Sequence, residues 1–221
     1  MIRSAHPKFA AFAVALAVSI AGPAAADNEP QARKFIDDGI NHILTILKDQ
    51  KSGRPAKLDQ LRAAFRSYFD HPYIARYAAG EHFRAASAKD QQAYLRAVED
   101  YVITTYGGRL LSYAGQIDLQ LKASDLFAIT HGTRFGPNYV VIHSNIKRTV
   151  AKALTIDWHV RSVKGQLKVI DVTLNGVSPI QVYRSEFVSV INRRNIGLAG
   201  LTAEIEAKNE ANRATSSVDR R

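Results

Sequence analysis

The sequence predicts an α+β fold, and two changes of hydrophobic period predict it. Apolar residues recur at three and four up to residue 114, alternate every second position between 117 and 174, and return to helical spacing from Ser178. Helices grouped before strands, instead of alternating with them, indicate segregated layers. Consecutive strands with short links pair antiparallel. The expectation is a sheet of about four to five strands packed by N-terminal and C-terminal helices.

Residues 1–26 are read first because they stand apart from the fold. Arg3 and Lys8 precede an uncharged run, "FAAFAVALAVSI", and "AGPAAAD" supplies small residues ending in Ala24 and Ala26. This is the layout of a secretory signal peptide with cleavage after Ala26. The apolar run is too short to span a bilayer comfortably and is broken by Gly22 and Pro23.

The mature chain opens on a helix over 30–50, marked by Phe35, Ile36, Ile40, Ile43, Leu44 and Leu47. "KSGRP" breaks it, and 56–69 continues with Leu58, Leu61, Phe65, Tyr68 and Phe69. A short helix over 72–79 ends at Gly80. Ser87 with Asp90 three residues on is a capping box for a long helix bearing Tyr94, Leu95, Val98, Tyr101, Val102, Thr105 and Tyr106. Gly107 and Gly108 should weaken or bend it before 110–113.

Strands are expected at 117–122, 128–135, 139–146, 154–163 and 166–174, with Lys164 and Gly165 as a hairpin turn. In that hairpin Val160 pairs with Val169. Strict alternation then puts Leu154, Ile156 and Trp158 on one side of the sheet and Ile170, Val172 and Leu174 on the other. Apolar surface on both sides calls for packing on both, or for a ligand cavity on one. After the Asn175–Gly176 turn, helices follow from Ser178 and over 198–208, and 206–221 reads as a polar, disordered tail. The expected organisation is thus a signal peptide (1–26), one domain (27–205: helical 30–114, sheet 117–174, helical return 178–208) and the tail (206–221).

At 221 residues, with 46% hydrophobic and 23% charged, the chain can bury a sizeable core. The absence of cysteine excludes thiol chemistry and thiolate metal sites, and leaves the core to stabilise an exported protein without crosslinks. The formal charge of +10 suggests anionic lipid headgroups, acidic partner faces or a generally solvated basic surface; export argues against nucleic acid.

The common catalytic and phosphate-binding motifs are missing from the sequence. His42, His71 and His82 lie on separate helical stretches. His131, His143 and His159 lie on three strands and would converge only if those strands were adjacent; no carboxylate stands at a telling interval, so no metal site is expected. Asp157, Asp171 and His159 near Tyr183 could be assembled into an acid–base group on a cone-shaped fold, which is the enzyme alternative. The nine Tyr and nine Phe are the more prominent feature, several Tyr falling on otherwise apolar faces.

Two segments together resemble the MlaC-like periplasmic lipid carriers, also called toluene-tolerance auxiliary proteins. "FDHPYIARYAAGEHFRAASAKDQQAYLRAVEDYVITTYGGRLLSY" holds the pattern as Asp70, Ile74, Ala75, Arg76, Gly80, Phe83 and Arg84, followed by a helix with Gln92, Tyr94, Val98, Tyr101 and Tyr106. The second segment runs from Gly165 and Gln166 through Lys168–Val172 and Gly176–Ser178 to Tyr183–Phe187. Leu167 and Ile170 stand where aromatics are expected, and Phe83 where Trp is common. The sequence also looks like the branch associated with hopanoid biosynthesis loci, HpnM.

The resemblance implies a curved antiparallel sheet and helices around an apolar cavity. It implies a non-enzymatic shuttle for phospholipid or hopanoid, without cofactor. Its partners would be an inner-membrane ABC transporter or MCE-type complex and an outer-membrane lipoprotein complex, with transient membrane-surface contact. The physics agrees: each buried methylene is worth about 0.8 kcal/mol, so exposing a sixteen-carbon chain costs on the order of 12 kcal/mol. The expected cavity lining is Val98, Val102, Tyr106, Ile156, Trp158, Tyr183 and Phe187. Arg76 or Arg184 is expected near the mouth, as a tie between helices, or as an ion-pair partner of Glu186 or Asp70.

Overall fold

A computed structural model describes residues 28–114, 124, 127–136, 138–146 and 154–218. The expected signal peptide and the expected strand over 117–122 lie outside the described residues.

Helix α1 (Asn28–Lys48) forms because Ala32, Ile36, Ile40 and Leu44 recur at four and make one buried stripe. Helix α2 (Arg54–Tyr68) starts with Pro at its first turn and buries Leu61 and Ala64 against Ile46. Asp70 caps α3 (His71–Ala79) by accepting from the Tyr73 amide at 3.2 Å. Gly80 then takes φ 59°, separating α3 from the short α4 (Glu81–Ala85). Ser87 caps α5 (Ala88–Val102): its Oγ accepts from the Asp90 amide at 3.2 Å and donates to the Asp90 carboxylate at 2.7 Å. A π-helical turn, Ile103–Gly107, leads into α6 (Gly108–Ala114), where the sequence predicted weakening.

Strands β1 (Phe127–Gly136), β2 (Tyr139–Ile146), β3 (Leu154–Val163) and β4 (Gln166–Leu174) form an antiparallel meander in the order β1-β2-β3-β4. Lys164 at φ 50° and Gly165 at φ 78° make the predicted two-residue hairpin, and Asn175 at φ 48° with Gly176 at φ 79° repeat that geometry after β4. Ser178 caps α7 (Pro179–Arg194) through the Gln181 amide at 3.1 Å, and Asn195 ends it in the left-handed region. Helix α8 (Gly197–Val218) follows.

The register corrects the expected division of the sheet. Val160 does pair with Val169, but His159 pairs with Asp171, so Ile170 is an extra, bulged residue. A one-residue bulge reverses the alternation beyond it. Ile156 therefore faces Leu174, and Trp158 faces Val172, on the same side as Val140, Ile142, Val160 and Val169. This is the side that α1 covers. The opposite side carries Tyr139, His143, Asp157, His159, Arg161, Asp171 and Thr173, with Val141 buried among them.

A second correction concerns the expected polar tail, which continues α8 to Val218. Asn209, 2% exposed, donates to the Ala97 carbonyl at 3.0 Å. Asn212 donates to Thr105 at 2.9 Å, and Arg213 pairs with Asp100 at 3.0 Å. Polar side chains hold this helix against α5 and the π turn where an apolar stripe was missing. The helical core consists of Ala75, Ala79, Phe83, Tyr94, Ala97 and Ile191 with Leu198, Leu201 and Ile205 of α8.

Candidate functional site

The predicted residues separate into two groups. On the helical side, Tyr183 of α7 meets two tyrosines: its hydroxyl lies 2.7 Å from that of Tyr106 and 3.3 Å from that of Tyr101. The Tyr101 ring stands edge-on to Tyr183, centroids 5.7 Å apart, and Phe187 packs against Tyr183 at 5.6 Å. Val98 and Phe187 pack against the helical core, and Val102 is half-buried beside them in the chain. Burial, then the hydrogen bonds from its two neighbours, pushes the Tyr183 phenol above its ordinary pKa, so it stays protonated. Tyr101 belongs to this group but is missing from the expected lining. The signal was there: Tyr101 lies in the α5 stripe, and the glycines after Tyr106 mark an irregular turn.

On the sheet side, Ile156 is 5% exposed and Trp158 packs partly buried against the α1 cluster. The Trp158 indole donates to Ser144 at 2.9 Å, and Ser144 donates to the Ile156 carbonyl at 3.2 Å. That relay fixes the indole plane and satisfies a buried hydroxyl. Helix α7 reaches the sheet at β4. The aromatic group on α7 and the apolar side of the sheet thus belong to adjoining layers and to different packing clusters.

The two expected arginines differ in their surroundings: Arg184 ties two helices together, one of the anticipated roles, and the anticipated ion pairs are not the ones formed. Arg184 donates to the Tyr77 carbonyl and lies over the Tyr77 ring at 4.8 Å. Its guanidinium sits 3.1 Å from where a Cβ on Gly80 would be, so it ties α7 to the α3 terminus. Arg76 is exposed, and among the described residues neither it nor Arg184 forms an ion pair with Glu186 or Asp70. Asp70 pairs instead with Arg161 at 3.3 Å, and Arg161 stacks on Tyr73 at 4.4 Å. Sequence distance hid this pair, which joins α3 to β3.

The polar side of the sheet accounts for the histidines. Thr133 bonds His143 at 3.0 Å, His143 bonds Asp157 at 2.7 Å, and Thr173 donates to Asp157 at 3.1 Å, a chain crossing all four strands. His131 stacks on His143 with centroids 4.2 Å apart. His159 bonds Tyr139 at 2.5 Å, and burial lowers its pKa. Asp157, His159 and Asp171 share this side of the sheet as the enzyme alternative required, but the tyrosine beside His159 is Tyr139, while Tyr183 joins Tyr101 and Tyr106. Among the described residues no group of three His, Cys, Asp or Glu could hold a metal ion.

One buried carboxylate joins the helices. Glu99, 6% exposed, accepts from Arg66 at 2.7 Å and Arg62 at 3.0 Å, with His71 at 3.4 Å. Burial alone would raise its pKa, but the hydrogen bonds from Arg66 and Arg62 hold it below the usual value. His71 is lowered chiefly by burial. The cluster's polar capacity is used between α2, α3 and α5, which makes it structural.

These features define a class: an α+β protein with one antiparallel meander, whose apolar side and aromatic helices, not a catalytic group, are its distinctive chemistry. The chain belongs to the MlaC protein family, whose model matches residues 37–207. The fold is similar to that of the phospholipid-binding protein from Ralstonia solanacearum, solved in complex with a phospholipid. That similarity has a TM-score of 0.65 at 19% identity and covers 82% of this chain and 98% of the other.

Proposed function

We propose that this protein is a periplasmic lipid carrier that binds phospholipid and moves it between the inner and outer membranes as the auxiliary component of an ABC transport system. The observation that carries the reading is membership of the MlaC family, a family of lipid-binding carriers and not of enzymes. Its fold is shared with a protein solved with phospholipid, which adds support. Val98, Val102, Tyr106, Tyr183 and Phe187 form the helical wall of the lipid site in this reading, and Ile156 and Trp158 the sheet wall. Arg76, exposed on α3, is free to contact headgroups or docking partners. Arg184 serves the fold first, because its guanidinium is engaged with Tyr77.

The chain is read as one carrier domain, 27–205, extended by the rest of α8 and exported by a leader over 1–26. An inner-membrane transporter or MCE-type complex and an outer-membrane lipoprotein complex are the proposed partners. The likeness to the HpnM branch makes a hopanoid the competing cargo. Lipid identity is tested by purifying the exported protein without detergent, extracting it with organic solvent and analysing the extract by mass spectrometry. Stoichiometric phospholipid supports the proposed cargo, stoichiometric hopanoid replaces it, and lipid-free protein that takes up neither overturns the carrier.

A further inference from the structure

Tyr101 and Tyr106 are five residues apart, and a regular α-helix would not aim them at one neighbour. At about 100° per residue, five residues leave them roughly 140° apart around the axis. A π turn closes on residues five apart and brings the second nearly over the first. The Ile103–Gly107 turn begins just after Tyr101 and contains Tyr106, and both tyrosines meet the Tyr183 hydroxyl. Helix α8 braces that turn: Thr104 bonds Asn209 at 3.3 Å, and Asn212 donates to Thr105 at 2.9 Å. The irregular turn is thus built into the fold, and its visible product is three converging phenols.

The cluster has hydrogen-bonding capacity to spare. Three phenols carry three O–H hydrogens, and the two contacts between them use two. Among the described residues no other group bonds these hydroxyls. Tyr106 is 36% exposed, so the spare donor has a route outward. Arg109, also exposed, holds its guanidinium 6.0 Å from the Tyr106 ring centroid and places positive charge at the rim. Phe187 packs on the Tyr183 ring, and Phe187, Tyr101 and Val98 all pack against the helical core. A hydroxyl donor, a guanidinium and an apolar floor on one side suit an amphiphile with an anionic oxygen at the junction of its polar and apolar parts.

We propose that Tyr101, Tyr106 and Tyr183 form a polar clamp for the phosphodiester oxygen of the carried lipid, with Arg109 as its charge partner, and that the π turn exists to assemble it. This rests on the carrier reading and adds the recognition chemistry to it. The test loads wild-type, Y106F, Y106F/Y183F and R109Q proteins from phosphatidylglycerol vesicles, and separately with a sixteen-carbon hydrocarbon probe. Unfolding midpoints identify any variant that has lost its fold, and Y106F, changed at a half-open position, is the safeguard. The clamp predicts that retained phosphatidylglycerol falls by roughly tenfold in the double variant and less in Y106F and R109Q, while hydrocarbon uptake is unchanged. Unchanged phospholipid retention, or an equal loss of both ligands in folded variants, overturns the clamp and leaves the carrier standing. Wild-type protein that takes up neither ligand overturns the phospholipid-carrier reading itself.

Discussion

Asn209 and Glu99 are the two residues whose burial is least expected from their chemistry, and each is explained by a partner on another helix. Asn209 donates to the Ala97 carbonyl and meets Thr104. Truncation to Ala would leave that capacity unsatisfied in the interior. An N209A variant is expected to lose about 1–3 kcal/mol, read from urea unfolding, with wild-type slope. Glu99 and His71 both contribute to the pH dependence of stability. Both folded-state pKa values are lowered, so the unfolded chain binds more protons and stability rises with pH. The His71 contribution is complete above about pH 6.5 and is lost as pH falls through its lowered folded value. The Glu99 contribution is complete above about pH 4.3 and is lost below that in the same way. Urea midpoints should therefore fall in two steps on acidification, the upper reduced by H71Q, with His159 supplying part of the remainder, and the lower reduced by E99Q. E99Q should also cost roughly 3–5 kcal/mol near neutrality, because Arg62 and Arg66 lose their shared carboxylate.

At the scale of elements, legibility followed from whether the determinant was local. Strands β2, β3 and β4 were legible to the residue, because alternating side chains and a Lys–Gly turn are local signals. The Ile170 bulge was not: "KVIDV" keeps its alternation in sequence, and only pairing against β3 shows one residue too many. That bulge withdraws the earlier argument for apolar surface on both sides of the sheet. The length of α8 was illegible for a related reason, since Asn209 and Asn212 look like solvated residues until their partners are known. The aromatic group was half legible. Tyr106, Tyr183 and Phe187 stood in the expected lining, while the hydroxyl convergence depends on a π turn that glycines only hint at. Gly80 is a sharper case. Its φ of 59° and the Arg184 guanidinium beside it disfavour any side chain. G80A should cost on the order of 1–3 kcal/mol, and pairing it with R184A in a double-mutant cycle should reveal coupling between the two sites.

At the scale of the molecule, one sheet packs its apolar side against α1, and α7 and α8 close a second core with α3 and α5. The first core gives the fold rigidity. In the proposed carrier, the aromatic residues at the edge of the second supply the amphipathic surface. No helix among the described residues is long and apolar enough to cross a membrane. The proposed lipid transfer depends on enclosing the chains in transit, because the cost of exposing them is on the order of 12 kcal/mol per sixteen-carbon chain.

The central claim is that this MlaC-family chain carries phospholipid. Its most direct test is the lipid content of protein purified from its exported location without detergent, measured by mass spectrometry against protein concentration. Close to one phospholipid per protein, retained through gel filtration, is the expected result. Protein recovered empty, and still empty after incubation with phosphatidylglycerol vesicles, would contradict it.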